Sequence, residues 1–248
     1  MAVQPIKAVM PIEAPDIAVM SGVRFAWPSR DSFRLAIDDF SLREGERLLL
    51  IGPSGSGKST FLGLLAGIVS PQEGSIKVLG TDIARLNGAA RDRFRGEHFG
   101  IIFQMFNLLP YGSVLDNVLL PLSFSAERRR RASAERPAEE EAVRLLDKLG
   151  IEPSLRRASA ASLSVGQQQR VAAARALIGS PQLIIADEPT SSLDRNRQMA
   201  FLDLLFSVVA EAGATLIMVS HDESLGPRFS RIAALESIAR IERGEVQP

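Results

Sequence analysis

The chain has 248 residues, enough for one large domain, or a domain with a subdomain, around a well-buried core. With 46% hydrophobic and 23% charged residues it is not a mainly disordered chain, and 29 basic against 29 acidic side chains argue against bulk nucleic acid as its main partner. Cysteine is absent, which excludes disulfides, thiolate metal sites and cysteine nucleophiles, and the two histidines, His98 and His221, cannot make a His-rich metal site alone.

Residues 1–17 read as a proline-containing tail, which leaves 18–248 as the folded domain. Pro5, Pro11, Pro15, Glu13 and Asp16 break that stretch, so no secretory leader is expected. Across 19–40 apolar and polar residues alternate unevenly, which predicts short antiparallel strands. Residues 47–52 (RLLLIG) form an apolar run closing on a glycine-rich turn, and 59–67 continue with helical spacing. Stretches 74–79 and 99–103 predict further strands.

From 104 to about 180 the pattern turns helical. Within it, 137–149 opens with proline and acids, the signals of a helix N-terminus, and places Val143, Leu146 and Leu149 on one face. Residues 163–178 predict another helix, 183–186 a strand ending in two acids, 195–212 a helix, and 215–220 a strand. Residues 232–246 predict short strands with a turn at Arg243-Gly244. Strands alternating with helices argue for an α/β fold with a parallel sheet. The run 127–131 (ERRRR), followed by the acids of 135–141, reads as a solvated loop and helix start, or as a contact for anionic lipid headgroups or an acidic partner loop. No uncharged apolar run reaches the ~18 residues of a membrane span, so a soluble chain is expected, with any membrane role through a partner.

Gly52-Pro53-Ser54-Gly55-Ser56-Gly57-Lys58-Ser59-Thr60 fits the P-loop pattern G-x-x-x-x-G-K-[ST]. Glycines let the backbone wrap tightly and aim N–H groups at phosphate oxygens, and the following helix offers its positive end to the same anion. Lys58 is placed to reach the β- and γ-phosphates and Ser59 to ligate Mg²⁺. The strand 183–186 then delivers Asp187 as a second Mg²⁺ ligand, and Glu188 to orient or deprotonate an attacking water.

Further motifs resemble one family. Leu163-Ser164-Val165-Gly166-Gln167-Gln168-Gln169-Arg170 resembles the signature of ABC-type ATPases. Gln104 resembles their Q-loop, Ser191-Ser192-Leu193-Asp194 their D-loop, and His221 their switch histidine. Trp27, 31 residues before Lys58, matches the aromatic that stacks on adenine, with Phe25 as the alternative. On these motifs the chain is identified as a member of that family over roughly 19–246. The resemblance implies a RecA-like P-loop core, an N-terminal antiparallel β subdomain and an inserted helical subdomain at about 104–180. It also implies a head-to-tail pair of ATPases, either two copies of this chain or a copy with a related ATPase, holding two ATP and Mg²⁺. Ser164, Gly166 and Gln167 would then reach the γ-phosphate held by the partner, and Asp194 would cross the interface. Gln104 would contact Mg²⁺ or water, Glu188 would be the catalytic carboxylate, and His221 would hold the γ-phosphate. Val165 departs from the usual glycine, which permits positive φ and close approach; retained ATP binding with slower turnover is expected.

The stretches 62–80 and 103–122 are similar to ATPases of the macrolide-exporter and lipoprotein-release group, and the cell-division and methionine-importer ATPases share much of the pattern. The resemblance implies a separate transmembrane permease, a periplasmic partner beyond it, and a peripheral place on the cytoplasmic face of the inner membrane. A permease helix would dock near Gln104 and Leu108-Leu109-Pro110-Tyr111. Export or extraction of a lipoprotein, peptide or drug-like cargo leads; regulation of a membrane complex without transport, or import, are the alternatives. A soluble ABC protein acting on DNA or ribosomes is disfavoured by the single P-loop and neutral charge.

Overall fold

The computed structural model describes residues 14–28 and 33–242. Strands β1 (Asp16–Ala26) and β2 (Arg34–Arg43) form an antiparallel pair, and β3 (Arg47–Ile51) runs into the P-loop and α1 (Lys58–Leu65). β4 (Glu73–Val78) and the short β5 (Thr81–Asp82) follow, then α2 (Gly88–His98) and β6 (Phe99–Ile102). Four helices come next: α3 (Val114–Leu119), α4 (Ala126–Ala132), α5 (Ala138–Lys148) and α6 (Val165–Leu177). The chain closes with β7 (Leu183–Asp187), α7 (Arg195–Glu211), β8 (Thr215–Ser220), β9 (Arg231–Ala234), the one-turn α8 (Leu235–Ile238) and β10 (Ala239–Glu242).

These strands build two sheets. One is antiparallel with order β10-β2-β1-β4-β5; the other is parallel with order β6-β7-β8-β3-β9. A parallel sheet is covered on both faces, and its strands read as continuous apolar runs. All six residues of β8 are buried accordingly. The two-residue period of a strand then divides the core. Leu48, Leu50, Leu183, Ile185, Ile217 and Val219 pack with the antiparallel sheet and α1. Leu49, Ile184, Ala186, Leu216 and Met218 pack with α3, α5, α6 and α7. The parallel sheet is therefore a wall with the β subdomain on one side and the helices on the other. The helical stretch shares its apolar cluster with that wall rather than enclosing a core of its own.

Several expectations shift. α5 buries Ala142, Leu145 and Leu146, with Leu149 just beyond it, while Val143 is only half-buried. α2 was not legible as a helix, because no residue on it is buried; Asn87 caps it by accepting from the Ala90 N–H at 2.9 Å. The C-terminal strands belong to different sheets: β9 extends the parallel sheet and β10 pairs with β2. The turn expected at Arg243-Gly244 and most of the tail lie outside the described residues, and β1 begins at Asp16. The arginine run is only partly solvated, with Arg129 and Arg130 exposed. It forms α4 and buries Arg128, because the carbonyls ending α6 need donors.

Candidate nucleotide site

The P-loop joins the end of β3 to α1. Gly55 and Gly57 take φ of 74° and 95°, which an L side chain resists. Gly57 precedes α1 and provides no side-chain cap, so the N–H groups of the first turn face the pocket as donors for an anion. The pocket, about 390 Å³, is lined by Ser54, Gly55, Gly57, Lys58, Ser59 and Thr60, with Trp27, Phe33, Gln104 and Glu188 completing its walls. Gly52, Pro53 and Ser56 do not line it. Gly52 and Pro53 instead give their carbonyls to the Lys58 ammonium at 2.8 and 2.9 Å. Ser56 is buried beneath Gly52, where a Cβ on Gly52 would come 3.0 Å from its hydroxyl.

Trp27 stands at one wall and donates its indole N–H to the Thr60 hydroxyl at 3.4 Å. Phe25, the alternative for stacking, is buried behind it, edge-on to the Trp27 ring with centroids 5.0 Å apart. Phe33 is an aromatic that sequence reasoning missed: it lines the pocket and lies against Gly57. Its position just beyond Trp27, before an alternating strand, was the available signal.

β7 and β8 bring the acidic and histidine groups to the same edge. Asp187 accepts a hydrogen bond from the Ser59 hydroxyl. Burial raises its pKa, Ser59 works against that, the Glu188 charge adds to it, and Lys58 opposes it. Glu188 has φ of 43°, a left-handed conformation costing a non-glycine residue about 1–3 kcal/mol that the surrounding fold must hold. Its N–H donates to the Val219 carbonyl at 3.2 Å. One carboxylate oxygen lies 3.5 Å from the Lys58 ammonium and the other 3.2 Å from Nδ1 of His221. His221 is 54% exposed and so remains accessible.

The donor set suits Mg²⁺. Ser59 and Asp187 already touch, and Gln104 lines the same pocket. Mg²⁺ is held through one or two carboxylates with phosphate oxygens and water, not a full protein cage. The described residues contain no group of three or more His, Cys, Asp or Glu arranged to hold a metal ion by themselves.

The signature residues line none of this pocket. Ser164 caps α6: its side chain accepts from the Gln167 N–H, and the Gln167 side chain accepts from the Ser164 N–H at 2.8 Å. A Cβ on Gly166 would meet nothing within 4 Å, so no atom of this chain requires glycine there. Val165 is the first residue of α6, with ordinary helical backbone and a side chain 48% exposed. Val165 therefore makes no use of the positive φ that glycine would permit. Asp194 is exposed and caps α7 by accepting from the Arg197 N–H at 3.0 Å. The buried Gln169 donates to the Pro189 carbonyl at 2.7 Å, beside Glu188.

A parallel sheet with a P-loop at one strand end and Asp187-Glu188 at the next but one defines a P-loop nucleoside triphosphatase. The pattern of the ABC transporter family matches residues 35–191, and the chain belongs to that family of ATP-hydrolysing cassettes. It is 43% identical over 198 residues to the ABC transporter ATP-binding protein YbbA of Escherichia coli (strain K12), covering 78% of this chain and 82% of that one. It is 36% identical over 197 residues to the lipoprotein-releasing system ATP-binding protein LolD of Legionella pneumophila (strain Paris), covering 79% and 84%. The ATP-binding cassette MJ0796, described as a dimer bound to ADP and Pi after hydrolysis, superposes with a TM-score of 0.73 at 31% identity over 88% of this chain and 93% of that one. No helix among the described residues is long and apolar enough to cross a membrane.

Proposed function

We propose that this chain is the motor ATPase of a membrane complex in which two cassettes close on ATP and drive a separate permease for export or extraction, as for lipoprotein release. The observation that carries the reading is the divided site. The P-loop, Asp187, Glu188 and His221 meet in one place, while Ser164, Gly166 and Gln167 begin a helix elsewhere, with open space over Gly166. A second copy placed head to tail would supply the missing half, with Asp194 crossing between copies. Closure then depends on phosphate contacts made only with ATP, so ligand binding stabilises the closed dimer by linkage.

In this reading the glycine turn and the start of α1 hold the phosphates, Lys58 leaves its loop carbonyls for the β- and γ-oxygens, and Trp27 stacks on adenine. Glu188 takes the proton of the attacking water, and His221, beside it, holds the γ-phosphate. Ser59, Asp187 and Gln104 would hold Mg²⁺, which would supply positive charge to offset that of the phosphates. The exposed Met105 and Tyr111 flank the Gln104 segment and give a permease helix apolar surface, whereas Leu108 packs into the core.

The test is affinity capture from detergent-solubilised native membranes with Glu188→Gln and ATP. Recovery of a permease with a large periplasmic domain is expected. Recovery of cell-wall or division proteins alone would replace this with a regulatory role, an importer permease would reverse the direction, and ribosomes or DNA without membrane protein would overturn the reading.

A further inference from the structure

Arg128 of α4 is 3% exposed, yet no carboxylate among the described residues pairs with it. Its Nε donates to the Ile178 carbonyl at 2.9 Å, Nη1 to Phe99 at 3.1 Å, and Nη2 to Ala176 at 2.9 Å as well as to Ile178. A buried cation without a counter-ion is costly unless hydrogen bonds and local dipoles compensate. Here they do. Ala176 and Ile178 end α6, where the last carbonyls lack helical partners and carry the negative end of the dipole. Burial, and then the charge of Arg131, lower the Arg128 pKa to about 9, so the group is still charged at neutral pH.

The contact is closely built. Arg131 donates to the Gly179 carbonyl at 2.8 Å and to Glu97 at 2.5 Å. A Cβ on Gly179 would sit 2.5 Å from the Arg128 carbonyl, and one on Gly100 would sit 2.2 Å from the Ala176 carbonyl. Phe99 opens β6, the strand leading to Gln104, and α6 begins at the signature. One guanidinium therefore ties the strand ahead of Gln104 to the far end of the signature helix. Arg175 of α6 makes a second tie, donating to the carbonyls of Phe106 and, at 2.6 Å, of Asn107, two left-handed residues just past Gln104.

We propose that Arg128 is a positioning residue that locks α6 to the strand leading to Gln104, so that Ser164 meets the nucleotide of a second copy in fixed alignment. The proposal rests on the head-to-tail dimer of the previous section. α6 has 13 residues and is about 20 Å long, so a tilt of about 5° at its base swings Ser164 by about 1.7 Å. A displacement of that size is enough to spoil hydrogen bonds to a phosphate.

The experiment measures ATP-driven dimerisation of the full chain in a Glu188→Gln background by sedimentation, with fluorescent-ATP binding measured at concentrations where the chain is monomeric. Arg128→Lys keeps the charge but cannot span three carbonyls. It is expected to leave monomer ATP affinity within about twofold and to raise the dimer Kd about tenfold, a change equivalent to about 1.4 kcal/mol. Arg131→Gln, losing only the outer bonds, should raise it less. Arg130→Gln should not change it, since the Arg130 side chain is exposed and pairs with Glu127 on its own helix. Arg128→Lys that lowers Tm but dimerises like its parent overturns the proposal and leaves Arg128 a structural residue. If Arg128→Lys does not fold, Arg131→Gln decides: an unchanged dimer Kd overturns the proposal. A parent that fails to dimerise with ATP would instead overturn the dimer reading itself.

Discussion

Replacing Gly57 with alanine adds one methyl group at the point where the P-loop enters α1. Gly57 has φ of 95° and ψ of 8°. Left-handed backbone costs an L-residue about 1–2 kcal/mol, and this φ lies beyond the usual left-handed well, so the upper end applies. The new Cβ would also sit 2.9 Å from Cζ and 3.3 Å from Cε2 of Phe33. Phe33 is only half-buried, so its ring can give by a few tenths of an ångström, and the backbone dominates the cost. About 2 kcal/mol in a domain of this size lowers Tm by roughly 4–8 °C. If the loop relaxes instead, its N–H groups move off the phosphates, and the same 2 kcal/mol appears as about a 30-fold loss of ATP affinity. Thermal unfolding with and without nucleotide, together with a fluorescent-ATP titration, reads both routes. Adding Phe33→Ala separates them, because only the steric share is recovered when the ring is removed. Gly57→Ala with unchanged Tm and unchanged affinity would refute the reasoning, and full recovery by Phe33→Ala would show that the ring, not the backbone angle, sets the cost.

Glu188→Gln should cut turnover at least about 100-fold, the lower range for a general base, while ATP still binds; a loss of only a few-fold would mean that another group takes the proton. Asp187→Asn should raise Tm of the nucleotide-free protein at neutral pH and abolish Mg²⁺-dependent hydrolysis. The sign follows from its raised pKa: the folded state holds the proton more tightly than the unfolded chain, so stability is lost as pH climbs from the ordinary value of 3.8 through the raised one. A lower Tm for Asp187→Asn would show that the ionised carboxylate stabilises the fold. Val165→Gly should leave Tm within about 2 °C, since glycine at an exposed first helical position costs only a few tenths of a kcal/mol. Any gain in turnover would come from clearing the exposed isopropyl group, and an unchanged or slower rate would discard Val165 as a brake.

The local chemistry was legible in the linear chain. Gly55, Gly57, Lys58 and Ser59 announce a phosphate loop because that order sets flexible backbone, a cation and a hydroxyl around one anion. Asp187 and Glu188 announce their role because an apolar run ending in acids delivers them to a strand end. The strands of the parallel sheet were readable because both faces are buried and their residues are uniformly apolar. What only the tertiary structure decided depends on partners distant in sequence. Phe33 becomes a pocket wall because β2 pairs with β1 and brings the start of that strand against Gly57. β9 and β10 part company because hydrogen-bonding edges on two different sheets are open to them. Val165 proves to be plain helix because Ser164 and Gln167 cap each other. The arginines of α4 look like surface charge in the linear chain. Arg128 goes inside because the carbonyls it satisfies, at Phe99, Ala176 and Ile178, come from elements far apart in the chain, and no periodicity in a sequence records where a helix ends in space.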